Sequence, residues 1–368
     1  MCEKLKRFID LYVPVTTCTL HCHYCYIYHT GLFKNKLPEF KYAPEIVKKA
    51  LSKERLGGTC LINMCGGGET LLPPQITDYI RVLLENGHYV MVVTNGTVSR
   101  RFDEITQFPP ELLSRLFFKF SYHYLELKKK NLFDLFFSNI RKMRDAGCSF
   151  TLELTPNDES IPYIDEIKAK AIEEVGAVCQ ITIARNEVAP TRDNPILTDL
   201  PHEEYFRTWG VFDSDMFEYK KTIFGQKRKE FCYAGDWSFV LDLGTGIMRQ
   251  CYSHFKTQQI FDNPETPIDF TPVGCKCSLP HCHNGHAFLT LGCIPEHKCI
   301  TYAQLRNRVC VDGSEWLKPN VKEFFSCKLK DNNREYSAVE RLFHTLRYSD
   351  AANRLKSVLR SLKRKFKS

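Results

Sequence analysis

The chain of 368 residues has no apolar run long enough to span a bilayer and no secretory signal. A helical membrane protein is therefore excluded, and a cytoplasmic protein is the expectation. Internal repeats and low-complexity tracts are also missing, which removes repeat arrays from consideration. Acidic residues are absent from the last eighteen positions, where Arg354, Lys356, Arg360, Lys363, Arg364, Lys365 and Lys367 supply seven of the eight formal positive charges. The remainder is close to neutral, so no globally basic face is expected and nucleic acid is an unlikely partner.

What the chain does have is cysteine, 17 residues of it. In a chain this long, without a signal for export, that count points to metal or cluster binding rather than to disulfides. Cys60, Cys65, Cys148 and Cys179 stand singly in apolar strand-like contexts and read as small core residues. Three others form the run Cys18-Thr19-Leu20-His21-Cys22-His23-Tyr24-Cys25, a C-x3-C-x2-C spacing directly after the strand-like segment Phe8–Val15. Three thiols on one loop can each hold one iron of a [4Fe–4S] cube, leaving the fourth iron free. His21 and His23 keep a zinc site open as the alternative, although zinc knuckles usually show paired C-x2-C units. His23 and His29 read as loop residues rather than ligands.

From residue 8 to about 185, strand-like and helix-like segments alternate. The strands are expected at Phe8–Val15, Thr59–Met64, His88–Thr94, Leu116–Tyr122, Ser149–Thr155 and Val178–Arg185, and the helices at Pro44–Arg55, Pro73–Asn86, Lys130–Ala146 and Ile161–Val175. Six βα units in sequence predict a parallel sheet with helices outside it. By period alone an open doubly wound sheet and a partial barrel fit equally.

Polar motifs recur at the strand ends. Strand two runs into Cys65-Gly66-Gly67-Gly68-Glu69-Thr70, and strand three into Thr94-Asn95-Gly96. Ser121 ends strand four, Glu153 and Thr155 lie on strand five, and Arg185 ends strand six.

The cysteine loop, with its aromatic Tyr24, and the Gly67-Gly68-Glu69 turn in the next βα unit together resemble the radical S-adenosylmethionine (SAM) superfamily. The resemblance implies a partial (β/α)6 TIM-like barrel with its chemistry at the C-terminal strand ends. It implies a [4Fe–4S] cluster on Cys18, Cys22 and Cys25 whose open iron chelates SAM, and reductive cleavage of SAM to a 5′-deoxyadenosyl radical that abstracts hydrogen from a substrate. Gly67, Gly68 and Glu69 match the motif that bonds the amino group of SAM, with Thr70 where a proline is usual. Tyr24, Thr94, Asn95, Ser121, Glu153 and Arg185 are the further cofactor-binding candidates. No separate catalytic residue is assigned, and an external electron donor such as flavodoxin or ferredoxin is implied.

A linker rich in Pro and Asp is expected from Asn186 to about Gln226. Beyond it, Leu241-Asp242-Leu243-Gly244-Thr245-Gly246 reads as a hairpin, and Gly246 stands before Cys251 in a G-x4-C pattern similar to the start of SPASM and Twitch domains. The dense cysteine run of a full SPASM is absent. The resemblance thus implies a Twitch-like domain with one auxiliary [4Fe–4S] cluster on Cys232, Cys251, Cys277 and Cys282, with Cys275 the alternative to Cys277. A zinc site drawing on His281, His283 or His286 is the competing reading. Cys310 and Cys327 show no obvious partners.

The expected organisation is a barrel over 1–225, a cysteine-rich auxiliary domain over 226–300 and a helical region over 301–368, anchored by Trp316, Phe324 and Phe325. The last segment ends in a basic amphipathic stretch with Leu355, Val358, Leu359, Leu362 and Phe366 on one stripe, for which peripheral membrane contact is an option. The expected function is a radical SAM iron–sulfur enzyme, oxidoreductase-like, acting on a small molecule, sugar or peptide with net oxidation through the auxiliary cluster. Because no leader-binding segment precedes the first strand, ribosomal-peptide maturation is the second reading. A non-catalytic zinc or iron–sulfur protein that binds nucleic acid through the tail is the third.

Overall fold

The computed structural model describes residues 3–25, 27, 31–186, 196–252, 256–275 and 277–347. The basic tail and His29 lie outside the described residues. Six parallel strands form in chain order: β1 (Arg7–Val13), β2 (Cys60–Gly66), β3 (Tyr89–Thr94), β4 (Leu116–Ser121), β5 (Ser149–Leu154) and β6 (Gln180–Ile181). Three more follow, β7 (Ser238–Asp242), β8 (Ile247–Arg249) and β9 (Thr257–Gln259). The nine-stranded sheet has the order β6-β5-β4-β3-β2-β1-β7-β8-β9.

That order decides between the two folds that period alone left open. A doubly wound sheet reverses direction at a switch point, so its helices cover both faces. Here β1 to β6 add in one direction without reversal. With a single crossover hand, the connecting helices all fall on one face, and the sheet curls around the other as a partial (β/α)6 barrel. On the outer face, Ile9, Ile62, Val90, Phe118 and Leu152 join the helices in one apolar core.

The inner face has two levels. At its N-terminal end, Phe8, Leu61, Tyr89, Met91 and Phe117 form an apolar floor. The C-terminal region closes that floor from below: Phe324 stacks on Tyr89 with ring centroids 3.8 Å apart, and Phe325 meets Phe117 at 5.1 Å. Trp316 packs at 5.2 Å on Phe150 and donates its indole N–H to Val175 O at 2.9 Å. All three expected anchors are thus in the core. The next level up, nearer the C-terminal strand ends, is polar.

The hairpin reading is met by β7 and β8, which pair antiparallel, while β7 itself lies parallel to β1 in the main sheet. Two expectations need correction. The described part of the expected linker, residues 196–226, is not structureless, because helices form at His202–Gly210 and Asp215–Ile223 and bury Tyr205, Trp209, Met216 and Phe217. The sixth strand is far shorter than Val178–Arg185, being cut back to Gln180–Ile181, where Ser214 Oγ accepts from Ile181 N at 3.0 Å and caps the helix Asp215–Ile223.

One buried titratable group links this core to pH. His88 is fully buried before β3; its Nδ1 accepts from Cys60 N–H at 3.1 Å and its Nε2–H donates to Leu51 O at 2.7 Å. Protonating Nδ1 would set two donors against each other, and burial pushes the imidazole down to about 4. A folded-state value below the unfolded one means stability that is complete above pH ~6.5 and lost as pH falls toward ~4, about 3 kcal/mol in all. Urea unfolding of wild type and His88→Gln at pH 7.5 and pH 5 is expected to show the wild type losing about 2 kcal/mol more than the variant over that interval.

Candidate active site

The cysteine loop follows β1 and lies across the C-terminal ends of β2, β3 and β4. Its folding rests on glycine. Gly68 N–H donates to Val15 O at 2.6 Å and Glu69 N–H to Thr17 O at 2.9 Å, so the glycine turn is pressed against the chain that enters the loop. A Cβ on Gly68 would collide with the Thr17 carbonyl, and one on Gly66 would lie 2.5 Å from Val15 Cγ1. These glycines make room first for the protein's own backbone.

Glu69 is buried at 1 % exposure, and its carboxylate carries three hydrogen bonds. Oε1 accepts from Leu71 N–H at 2.9 Å and from Thr94 Oγ1–H at 2.7 Å, and Oε2 accepts from Asn95 N–H at 2.7 Å. Burial raises the Glu69 pKa, and these donors oppose the rise. Asn95 in turn donates through Nδ2 to Thr19 Oγ1 at 2.8 Å and to Cys18 Sγ at 3.5 Å. Glu69, Thr94 and Asn95 therefore form one relay from the glycine turn through the β3 turn to the first cysteine. Gly96 sits at φ +73°, where a side chain would be strained and a Cβ would meet Phe136 at 2.6 Å.

The far side of the loop is held from β4. Tyr24 Oη is hydrogen-bonded to His123 Nδ1 at 2.7 Å, and His21 N–H donates to Glu126 Oε2 at 3.0 Å. Cys25 N–H closes a turn onto Cys22 O at 3.0 Å. Burial, with the neighbouring Glu69 charge, pushes the Cys18 thiol up to about 11; burial also raises the Cys22 thiol. All three cysteines are free thiols. Among the described residues no three His, Cys, Asp or Glu side chains converge on a single ion. Three free thiols on one loop suit a cube, because each thiolate meets a different iron and none must share a point.

Of the other candidates, Ser121 is half-buried at the end of β4, in register with Glu153 on β5. Glu153 is engaged deeper in the barrel, pairing with Lys119 at 2.9 Å and with Arg306. Arg185 turns toward the cysteine-rich segment, its Nη1 lying 3.3 Å from His283 O. In that segment burial raises the Cys282 thiol, followed by the charges of Cys232, Cys251 and Cys277, which gathers the four cysteines in one neighbourhood. Cys275, the alternative to Cys277, is exposed, and its backbone N–H donates to Thr345 Oγ1 at 3.4 Å. Cys293 lies beside Cys232 and accompanies Ser238 Oγ at 2.9 Å. Of the four isolated cysteines, Cys60, Cys148 and Cys179 are fully buried, whereas Cys65 is half-buried at the inward-facing end of β2.

Sequence reasoning missed the polar level inside the barrel. Asp10 on β1 accepts from Asn63 Nδ2 at 2.9 Å, from Asn284 Nδ2 at 3.1 Å and from Tyr252 Oη–H. Lys119 on β4 pairs with Glu153, and Arg306 pairs with the same carboxylate while its Nη2 lies 3.2 Å from His286 Nε2. Arg306 is placed by a five-residue helix, Tyr302–Arg306, started by a capping box between Thr301 and Gln304. Lys220, on the helix Asp215–Ile223, donates to Thr182 Oγ1. Burial and the Arg306 guanidinium push the Lys119 ammonium down to about 8, against the opposing charges of Cys65 and Asp10. Burial, then Lys119 and Arg185, lower Lys220 strongly. The one sequence signal for this level was a charge in the middle of an apolar strand, as in Phe117-Phe118-Lys119-Phe120 and Phe8-Ile9-Asp10-Leu11.

Two substitutions test the relay. Asn95→Ala removes the hydrogen bonds to Thr19 and Cys18 and is expected to lower iron loading on the N-terminal loop by about 10- to 100-fold, as loss of an outer-shell partner does. Glu69→Gln sets an amide NH2 among three donors and is expected to destabilise the fold by about 1–3 kcal/mol, read from urea unfolding.

No curated protein matches this sequence. Among solved structures, the chain is similar to Streptococcus suis SuiB bound to S-adenosylmethionine, with 12 % identity and a TM-score of 0.48 over 72 % of this chain and 66 % of that one. It is also similar to SuiB bound to precursor peptide SuiA, with 13 % identity, a TM-score of 0.46 and the same coverage. A third is anSMEcpe with bound AdoMet and Cp18Cys peptide, with 14 % identity and a TM-score of 0.44 over 67 % of this chain and 74 % of that one. The chain thus spans about two thirds of the length of SuiB. The model of the Radical SAM superfamily matches residues 12–171, from the end of β1 through the helix before β6, and so takes in the cysteine loop and the whole Glu69–Asn95 relay. Over residues 12–171, which hold the three-thiol loop and the barrel strands up to β5, the chain thus matches the Radical SAM superfamily.

Proposed function

We propose that this chain cleaves SAM reductively and uses the resulting radical to abstract hydrogen from a substrate held inside the barrel, with net oxidation of that substrate. The observation that carries the reading is the placement of the cysteine loop, which is hydrogen-bonded on one side to the β3 turn and on the other to the segment after β4, above a polar interior. Cys18, Cys22 and Cys25 would hold the cluster that binds SAM. When bound, that cluster supplies the electron that breaks a carbon–sulfur bond of SAM.

The chain's own residues do the positioning. The Glu69–Thr94–Asn95 relay fixes the loop from below, while Tyr24 with His123 and His21 with Glu126 fix it from the side. The barrel wall and its apolar floor keep the reacting centre away from bulk water. Cys232, Cys251, Cys277 and Cys282 would hold the auxiliary cluster, and their packing in or against one apolar cluster supports that set. With four protein thiolates that cluster has no open iron, which suits it to accept an electron from a substrate radical.

Two measurements test this reading. Anaerobically reconstituted wild type, given SAM and dithionite, is expected to form 5′-deoxyadenosine, and Cys22→Ala to form none. Absence of product from a wild type that carries iron and sulfide in every form tested, with or without candidate substrates, contradicts the reading. For the auxiliary site, wild type is expected to hold about eight irons per chain and the double variant Cys232→Ala, Cys282→Ala about four. An unchanged iron content in the double variant would remove the second cluster from these cysteines.

A further inference from the structure

Charge inside the barrel is unevenly matched. Lys119, Lys220 and Arg306 project into one interior region, and Arg185 borders it. Among the described residues two carboxylates are present there, and both are engaged by groups other than Lys220. Glu153 is shared between Lys119 and Arg306, and Asp10 is surrounded by the neutral donors Tyr252, Asn63 and Asn284. Among the described residues, the hydrogen bond from Lys220 goes to the Thr182 hydroxyl. An ammonium without a counter-charge in such a place costs several kcal/mol, and it either sheds its proton, as the lowered Lys220 pKa allows, or is joined by an anion that restores the charge.

Side chains of the region also keep accessible surface. Lys119 lies mid-strand with β3 on one side and β5 on the other, yet 24 % of its side chain is accessible. Ser121, Thr182, Lys220, Asn284 and His286 are likewise half-buried rather than packed. Arg306 is buried to 2 %, and its Nε has no hydrogen-bond partner among the described residues. The repulsion is mutual: burial first, and then Lys220, Lys119 and Arg185, drive the His286 ring toward its neutral form.

We propose that this layer is an oxyanion site, and that the substrate carries a carboxylate or phosphate group that seats between Lys119 and Lys220. The position rests on the reading of the chain as a radical SAM enzyme only for its use, since the charge and the accessible side chains stand without it. Along β4 the order is Phe117 on the floor, Lys119 at the oxyanion, Ser121, and then His123 at the cysteine loop. At ~3.3 Å per residue, Lys119 lies about 7 Å below Ser121 at the end of β4, with His123 just beyond it. An anion anchored at that depth leaves the rest of a small substrate extending upward toward the cluster end, and Ser121 lies on its path.

The test is equilibrium binding of inorganic phosphate and, separately, succinate to the reconstituted full-length protein. At least one is expected to bind saturably, with affinity falling at least tenfold in Lys220→Met and largely kept in Lys220→Arg, both checked for an unchanged thermal midpoint. If Lys220→Met does not fold, Lys119→Met takes its place with the same expectation. Phosphate alone binding identifies a phosphate-bearing substrate, and succinate alone a carboxylate. Saturable binding of neither, or binding that Lys220→Met leaves unchanged, overturns the proposal. Wild-type formation of 5′-deoxyadenosine reports the radical chemistry separately: product without anion binding defeats this inference alone, and anion binding without product defeats the radical reading alone.

Discussion

The buried Glu69 carboxylate is the interaction on which the upper end of this barrel depends. Its two oxygens take hydrogen bonds from Leu71, Thr94 and Asn95, and so join the turn after β2 to the turn after β3. Asn95 extends the connection to Thr19 and Cys18. A loop of three cysteines has little apolar surface with which to hold its own shape, so its geometry must come from such bonds. Charge-assisted bonds to a carboxylate away from water are among the stronger ones available, and leaving any partner unmatched there is expensive. Glu69 thus serves the site by placing backbone and thiols, with its carboxylate turned into the protein.

Below this level the barrel interior divides by depth. The floor is apolar and is sealed by aromatic contacts from the C-terminal region, Phe324 on Tyr89 and Phe325 on Phe117. The same region sends Arg306 upward, its guanidinium carbon 4.7 Å from the centroid of the Tyr302 ring, to reach Glu153 on β5. One segment therefore both seals the barrel and contributes to its polar layer. The helix Asp215–Ile223 does similar double service, burying Met216 and Phe217 while presenting Lys220.

The parts of the site legible in the sequence are those whose residues are close in sequence. Cys18, Cys22 and Cys25 fall within eight positions, and Gly67, Gly68 and Glu69 are consecutive. The strand-end positions of Thr94 and Asn95 followed from the apolar run before them. The polar layer was illegible because it is assembled from Asp10, Lys119, Lys220, His286 and Arg306, which only the fold brings together. Lys220 was further hidden in a stretch where prolines and aspartates obscure helical period, although Tyr205 and Trp209 keep the i, i+4 spacing of a buried face. Barrel and open sheet were indistinguishable by period, since both bury their strands on two faces; only the strand order separates them.

The central claim is that the N-terminal cysteine loop presents an open coordination position to SAM. Electron paramagnetic resonance of the dithionite-reduced, reconstituted protein, recorded with and without SAM, tests it most directly. The account predicts that the signal of one reduced [4Fe–4S] cluster changes on adding SAM, while that of a second cluster does not. Spectra identical with and without SAM, in a protein shown to carry reduced clusters, would contradict it.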